Sequence, residues 1–148
     1  MRLLLQRVNR ASVTVDNRIV GEIGHGFLIL AGFRAGDDEV AIPRLADKCL
    51  NLRVFEDEQG KMNRSLQDVG GQLLVISQFT LYADCRKGRR PSFTNSLPPE
   101  PAEHLYNLLL DEFEKSGLTV ERGIFGAKMD ISLINNGPVT ILLDDREI

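Results

Sequence analysis

Polar and apolar positions alternate in "ASVTV", where Val13 and Val15 are interleaved with Ser12 and Thr14. That period of two belongs to a half-buried strand. Asp16-Asn17 supply turn residues, so a hairpin leading to a second strand over 19–23 is predicted. Gly24 and Gly26 punctuate the chain, and "FLILAGF" follows as a buried strand. The pattern then changes. Asp37 or Asp38 can cap a helix, and Pro43 fits only in a first turn. The regular helix is therefore predicted from about Ile42, with Leu45, Cys49 and Leu52 on one face at i, i+4, i+7.

"LRVF" restarts a strand, and "EDEQGKMNRSL" reads as a loop turning at Gly60. Leu73, Leu74, Val75 and Ile76 form another buried strand. Ser96 and the prolines up to Pro101 announce a second helix. Its apolar face is Leu105, Tyr106, Leu109, Leu110 and Phe113, and Gly117 stands where a C-terminal glycine cap belongs. "LTVERG", "MDISLI" and "VTILLD" complete the strands, the last two joined by "NNGP" as an ordinary hairpin turn with a trans Gly137-Pro138 bond. This order of strands and helices lacks the regular alternation of a doubly wound parallel sheet. It predicts an α+β fold: one domain over 1–148, with a largely antiparallel sheet curled toward a barrel and two helices packed on it.

Composition narrows the class. The 148 residues are 43% hydrophobic and 26% charged, the balance of a globular domain. No apolar run approaches the ~20 residues that span a bilayer, so no membrane is expected. The apolar start is short and broken by Gln6, Arg7 and Arg10, unlike a signal peptide. Cys49 and Cys85 are isolated and read as free thiols, which points to the reducing cytoplasm. A net charge of −3 argues against a general nucleic-acid binder. The one dense basic stretch is "RKGRR", with Arg86, Lys87, Arg89 and Arg90, and a short charge run is most often a solvated loop tip.

The inventory of reactive groups is thin. His25 lies in "GHG" and His104 beside Glu103 on the second helix, and neither has the sequence context of a catalytic base. There is no G-x-S-x-G elbow, zinc spacing, P-loop or dinucleotide fingerprint, so no metal or cofactor is expected. Two polar segments at the ends of apolar strands remain. Ser77, Gln78, Phe79 and Thr80 offer backbone N–H groups and two hydroxyls, which suit an oxyanion hole. They equally suit a turn that satisfies its own backbone, and local physics does not choose. The second segment is "NNGPVT", residues 135–140.

Together these segments resemble the D-aminoacyl-tRNA deacylase family, whose two signature motifs are similar to Ser77-Gln78-Phe79-Thr80 and Asn135-Asn136-Gly137-Pro138-Val139-Thr140. "LLLQRVNRASV", "RVFEDEQGKMNRSL", "KGRRPSF" and "GIFGAKMDISLINNGPVT" are similar to family blocks in family order. The resemblance implies a hydrolase for the ester between a D-amino acid and the terminal adenosine of tRNA. It also implies a homodimer in which a cis Gly137-Pro138 enters the partner's pocket as a chiral filter, flanked by Asn135 and Thr140. Arg7 would hold that loop, and Phe125, Ala127 and Met129 would line the pocket. A rigid backbone element that clashes with the L arrangement rejects every L side chain at once. Glycine has no side chain to reject, so glycyl esters, such as glycine mischarged on tRNA(Ala), should also be cleaved.

An aminoacyl ester is already activated, and its neighbouring ribose hydroxyl can assist water. The protein then need only position the ester and stabilise the oxyanion. N–H groups around Phe79 and Thr80 would do so, organised by Ser77 and Gln78, with Thr80 as covalent nucleophile ranked second because no base is evident. Beside such a site, Arg86, Lys87, Arg89 and Arg90 become candidates for tRNA phosphate contacts. Two other readings compete. One is a related deacylase for a mischarged small L-amino acid; the other is a non-catalytic DNA-binding accessory protein, disfavoured by the negative charge and by the acidic "LLDDREI" end.

Overall fold

One extra residue in the first strand sets the architecture. In the computed structural model, which describes residues 1–148, strand β1 runs unbroken from Arg2 to Val15. Its pairing slips between Val8 and Arg10, which makes Asn9 the extra residue of a β-bulge. Before the bulge, Leu3 and Leu5 enter the main core; after it, Ala11 and Val13 enter a second, smaller one. One strand serves two cores because the added residue inverts the phase of the alternation.

The other strands are β2 (Arg18–Ile23), β3 (Gly26–Gly32), β4 (Phe55–Glu56), β5 (Met62–Arg64), β6 (Gln72–Ser77), β7 (Val120–Arg122) and β8 (Asp130–Asp144). The helices are α1 (Ile42–Asn51) and α2 (Pro99–Glu114). β2 and β3 pair antiparallel with successive halves of β1, and β8 covers β1's other edge along both halves. β6 adds to β3, and β7 to β6, both in parallel. The sheet curls until β2 meets β6 and β7. Val8, Ala11, Val13, Ile23, Leu28, Leu74 and Ile76 fill the barrel interior. The alternate residues Phe27, Ile29, Leu73 and Val75 face outward under α1 and α2, where Leu45, Cys49, Leu109 and Phe113 cover them.

The fold class is the predicted one: two helices on a sheet nearly closed as a barrel. Three details differ. The β3–β6–β7 run is parallel, because β3 and β6 are sandwiched between helices and barrel interior and carry apolar residues on both faces. Such runs do not reveal strand direction. "EDEQGKMNRSL" is not all loop: it supplies β5, which folds back on β4. "NNGP" is not a hairpin turn, since both of its flanks stay paired to β1 within the single strand β8.

The capping aspartates divide their work. Asp38 Oδ1 accepts from Val40 N at 3.1 Å and caps a 3-10 turn leading into α1. Asp37 instead accepts from Arg34 N at 2.9 Å and pairs with the Met1 ammonium at 2.8 Å. No helix is long and apolar enough to cross a membrane.

Candidate active site

The end of β6 turns sharply. Gln78 leaves the strand with its N–H donating to Ala31 O at 2.7 Å, and Phe79–Tyr82 follow as one 3-10 turn. The first N–H groups of such a turn, here those of Phe79 and Thr80, have no acceptor within it. The turn lies directly on β3. A Cβ on Gly32 would stand 2.8 Å from Gln78 O and 3.0 Å from Leu81 Cβ, so a bare glycine is what lets the two backbones meet. Ser96 Oγ donates to Phe79 O at 2.9 Å and fixes the turn from the other side.

Above this turn is a cleft of about 590 Å³. Ser77, Gln78 and Phe79 line it, and so do Phe125, Ala127 and Met129 from the segment between β7 and β8. Phe79 and Phe93 meet edge to face at 5.0 Å and stay 57% and 40% exposed, leaving aromatic surface open to a ligand. Tyr106 supports Phe125: its hydroxyl donates to Val75 O at 2.8 Å and its ring packs on the Phe125 ring. Burial pushes the Tyr106 hydroxyl up to about 12, so it stays a donor. Neither histidine and neither cysteine lines the cleft.

Of the predicted site residues, Thr80 does not line the cleft. Its Oγ1 accepts from Gln78 Nε2 at 2.5 Å, an internal brace of the turn. Phe93, Ser96 and Pro98 line the cleft too. They lie on the strand-free stretch before α2, and no local pattern marks them.

The second motif lies elsewhere on the chain. Thr140 pairs with Gln6 and Asn135 with Val8, so residues 136–139 bulge from β8 opposite the single residue Arg7. The Gly137–Pro138 peptide is cis, where the residues alone favoured trans. Asn135 closes the neck, accepting from Val139 N at 2.8 Å and donating to Val139 O at 3.1 Å and Thr140 Oγ1 at 3.2 Å. Arg7, only 3% exposed, holds the loop from below. Its Nε donates to Asn136 O and its Nη2 to Asn136 Oδ1, each at 3.0 Å, while Nη1 donates to Val54 O at 2.5 Å. Asn136 is thus the residue Arg7 grips. Gly137 has φ +131, and a Cβ there would lie 2.8 Å from Val139 Cγ2. Gly137 and Pro138 are exposed and form no part of their own chain's cleft.

The basic loop is exposed throughout Arg86–Arg90. Hydrogen bonds from Arg86 hold the Asp84 carboxyl down at about 2, so Arg86 is already paired. Lys87, Arg89 and Arg90 make no ion pair.

Residues 4–144 match the family model described as D-Tyr-tRNA(Tyr) deacylase. The chain belongs to the D-aminoacyl-tRNA deacylase family. Among its relatives, the D-aminoacyl-tRNA deacylase of Desulfotalea psychrophila is 56% identical over 148 residues, covering 100% of this chain and 99% of the relative. That of Thermomicrobium roseum is 57% identical over 148 residues, covering 100% and 96%. Among solved structures, a c-Myc DNA unwinding element binding protein is 41% identical with a TM-score of 0.91, covering 97% of this chain and 98% of that one. A probable eukaryotic D-amino acid tRNA deacylase shares the fold at a TM-score of 0.85 and 18% identity, covering 96% and 97%. The deacylase family comprises hydrolases acting on aminoacyl-tRNA.

Proposed function

We propose that this chain hydrolyses the ester of D-aminoacyl-tRNA in the cytoplasm, releasing the D-amino acid and tRNA, and that it spares L-esters. The observation that carries the reading is the separation of two sets of residues. The cleft has an apolar positioning surface beside a turn with free backbone donors. Gly137-Pro138 is clamped rigidly at the surface, away from that cleft. In this reading a second copy of the chain brings the two together: in a two-fold dimer each loop enters the other's cleft. There its backbone atoms, which cannot rotate away, exclude the L arrangement and admit D-esters and glycyl esters.

In this reading the N–H groups of Phe79 and Thr80 stabilise the oxyanion, and water attacks with help from the substrate's own ribose hydroxyl. Ser77 and Gln78 shape the turn. Phe125, Ala127 and Met129 receive the adenosine and amino acid, while Lys87, Arg89 and Arg90, with Arg86, meet tRNA phosphates. The engagement of Thr80 Oγ1 with Gln78 supports a bracing role over a nucleophilic one. Thr80→Ala is therefore expected to lower kcat by about three- to tenfold, the loss of one hydrogen bond of ~1 kcal/mol. Loss of all single-turnover cleavage would instead make Thr80 the nucleophile.

The deciding experiment is the rate of ester loss from tRNA charged with D-tyrosine against the same tRNA charged with L-tyrosine, with EDTA present. Fast loss of the D-ester with the L-ester spared is the expected result. Equal cleavage would remove the filter; cleavage of neither by folded protein would remove the activity. A duplex-DNA binding assay on the same preparation tests the other role, raised by the name of the 41% identical relative. With a net charge of −3, weak binding abolished by moderate salt is expected.

A further inference from the structure

The chain has seven phenylalanines, two tyrosines and no tryptophan. Only Phe79 and Phe93 among them are exposed, and the two touch. Both line the candidate active-site cleft, with ring centroids 5.0 Å apart and planes at 71°. An edge-to-face pair covers one of its four ring faces. Much of the remaining surface is open to a planar ligand.

One residue fixes both rings. Ser96 donates its N–H to Phe93 O at 3.0 Å and its hydroxyl to Phe79 O at 2.9 Å. Ser96 is itself bridged to Arg34, and Leu97 N donates to Phe33 O at 3.0 Å, so this stretch is tied to the chain just past β3. The rings stand open on a fixed backbone, and an apolar patch left open beside polar residues marks an interaction site.

The neighbouring charge indicates the kind of ligand. Asp84 and Ser92 exchange both backbone hydrogen bonds, at 2.8 and 2.9 Å, and close a hairpin immediately before Phe93. Its tip carries Arg86, Lys87, Arg89 and Arg90, all exposed. Arg86 is paired with Asp84, while the other three make no ion pair. Arg90 and Arg89 precede Phe93 by three and four residues, a reach of no more than about 14 Å along the chain. Open aromatic faces beside uncompensated cations suit single-stranded nucleic acid: bases stack on the rings, and phosphates meet the cations.

We propose that Phe93, braced edge to face by Phe79, is the stacking seat for the base that precedes the terminal adenosine of a single-stranded RNA end, while Lys87, Arg89 and Arg90 take the phosphates next to it. This rests on the proposed deacylase reading for the identity of the strand, whose terminal adenosine occupies the cleft beside Phe125, Ala127 and Met129. A base inside a duplex is already stacked on its neighbours, so the seat takes an unpaired end.

The test is fluorescence anisotropy with a labelled, uncharged single-stranded RNA ending in CCA, and with the same RNA lacking only the base before the terminal adenosine. Thermal melts establish folding. Wild-type protein is expected to bind the RNA lacking that base about tenfold more weakly, the scale of one stacked base. Phe93→Ala should bind the intact RNA about tenfold more weakly and show no preference between the two RNAs. It should keep the wild-type salt dependence, because the ring carries no charge. Arg89→Gln should keep the preference and lower the slope of log K against log salt by about 0.7. Because the chain has no tryptophan, Phe93→Trp places a single reporter at the seat. Its emission should be quenched by the intact RNA and much less by the RNA lacking the base. Ile19→Trp, exposed on β2 and no part of the cleft, should respond to neither.

Equal binding of the two RNAs by wild-type protein would overturn the proposal. So would a Phe93→Ala that still prefers the intact RNA, or wild-type protein that binds no RNA. An unchanged slope in Arg89→Gln would overturn its phosphate contact. A Phe93→Ala that breaks up dimers, while wild-type protein ignores the missing base, would assign the rings to a second copy of the chain and also overturn it. If Phe93→Ala does not fold, the two RNAs on wild-type protein and the Phe93→Trp emission decide. The cleavage assay is separate: RNA held through Phe93 without cleavage of the D-ester keeps the seat and loses the reaction.

Discussion

Gly137→Ala is expected to lower kcat/KM for D-tyrosyl-tRNA by about 100-fold or more, the scale of a misplaced positioning group, in a chain that still folds with its melting temperature lowered by about 2–10 °C. Gly137 adopts φ +131, a conformation that costs an L side chain about 1–3 kcal/mol. The added methyl would also collide with Val139 Cγ2 at 2.8 Å and Arg7 Nη2 at 3.0 Å. The loop must shift, and the shift falls on the element assigned to the substrate's α-carbon. Because the residue is exposed, folding should tolerate what activity does not. Co-expression makes the test sharper. A chain with Ala127→Trp should be inactive because its cleft is filled, while its loop remains intact. Mixed with Gly137→Ala, it should restore about a quarter of the sites, since only heterodimers combine an open cleft with a sound loop. Activity of Gly137→Ala within threefold of wild type would take the loop out of the site altogether.

Arg7→Leu should be the most destabilising single change at the site. It removes the donors to Val54 O, Asn136 O and Asn136 Oδ1 beneath a side chain only 3% exposed. The acceptors left behind lose their partners, and a cost of about 2–4 kcal/mol is expected from urea unfolding. The ion pair with Glu56 adds little to this, since it is long at 3.7 Å and Glu56 is 58% exposed. Where the variant stays folded, the ratio of D- to L-ester cleavage should fall at least tenfold, because the loop is released rather than deleted. An unaltered ratio in a folded Arg7→Leu would show that the loop is rigid without its clamp.

Much of this could be read along the chain. Local alternation in Val13 and Val15, the helical face from Leu105 to Phe113, and the polar end of the strand at Ser77 all follow from neighbours within a few residues, where periodicity is decisive. The two motifs and the basic loop drew a role only from the family resemblance, since local pattern left 77–80 undecided, made 135–140 a hairpin turn and made 86–90 a solvated tip. Tertiary structure decided what depends on partners remote in sequence. The parallel direction of β3, β6 and β7 is invisible in strands buried on both faces. The burial of Arg7, a residue whose type predicts exposure, follows from a bulge 129 positions away. Asn136, Phe93 and Ser96 carry no local signal, yet they hold the loop, the cleft mouth and the turn. Each residue's own pattern decides its element, but a site is a meeting of elements, and long-range packing alone determines which side chains meet.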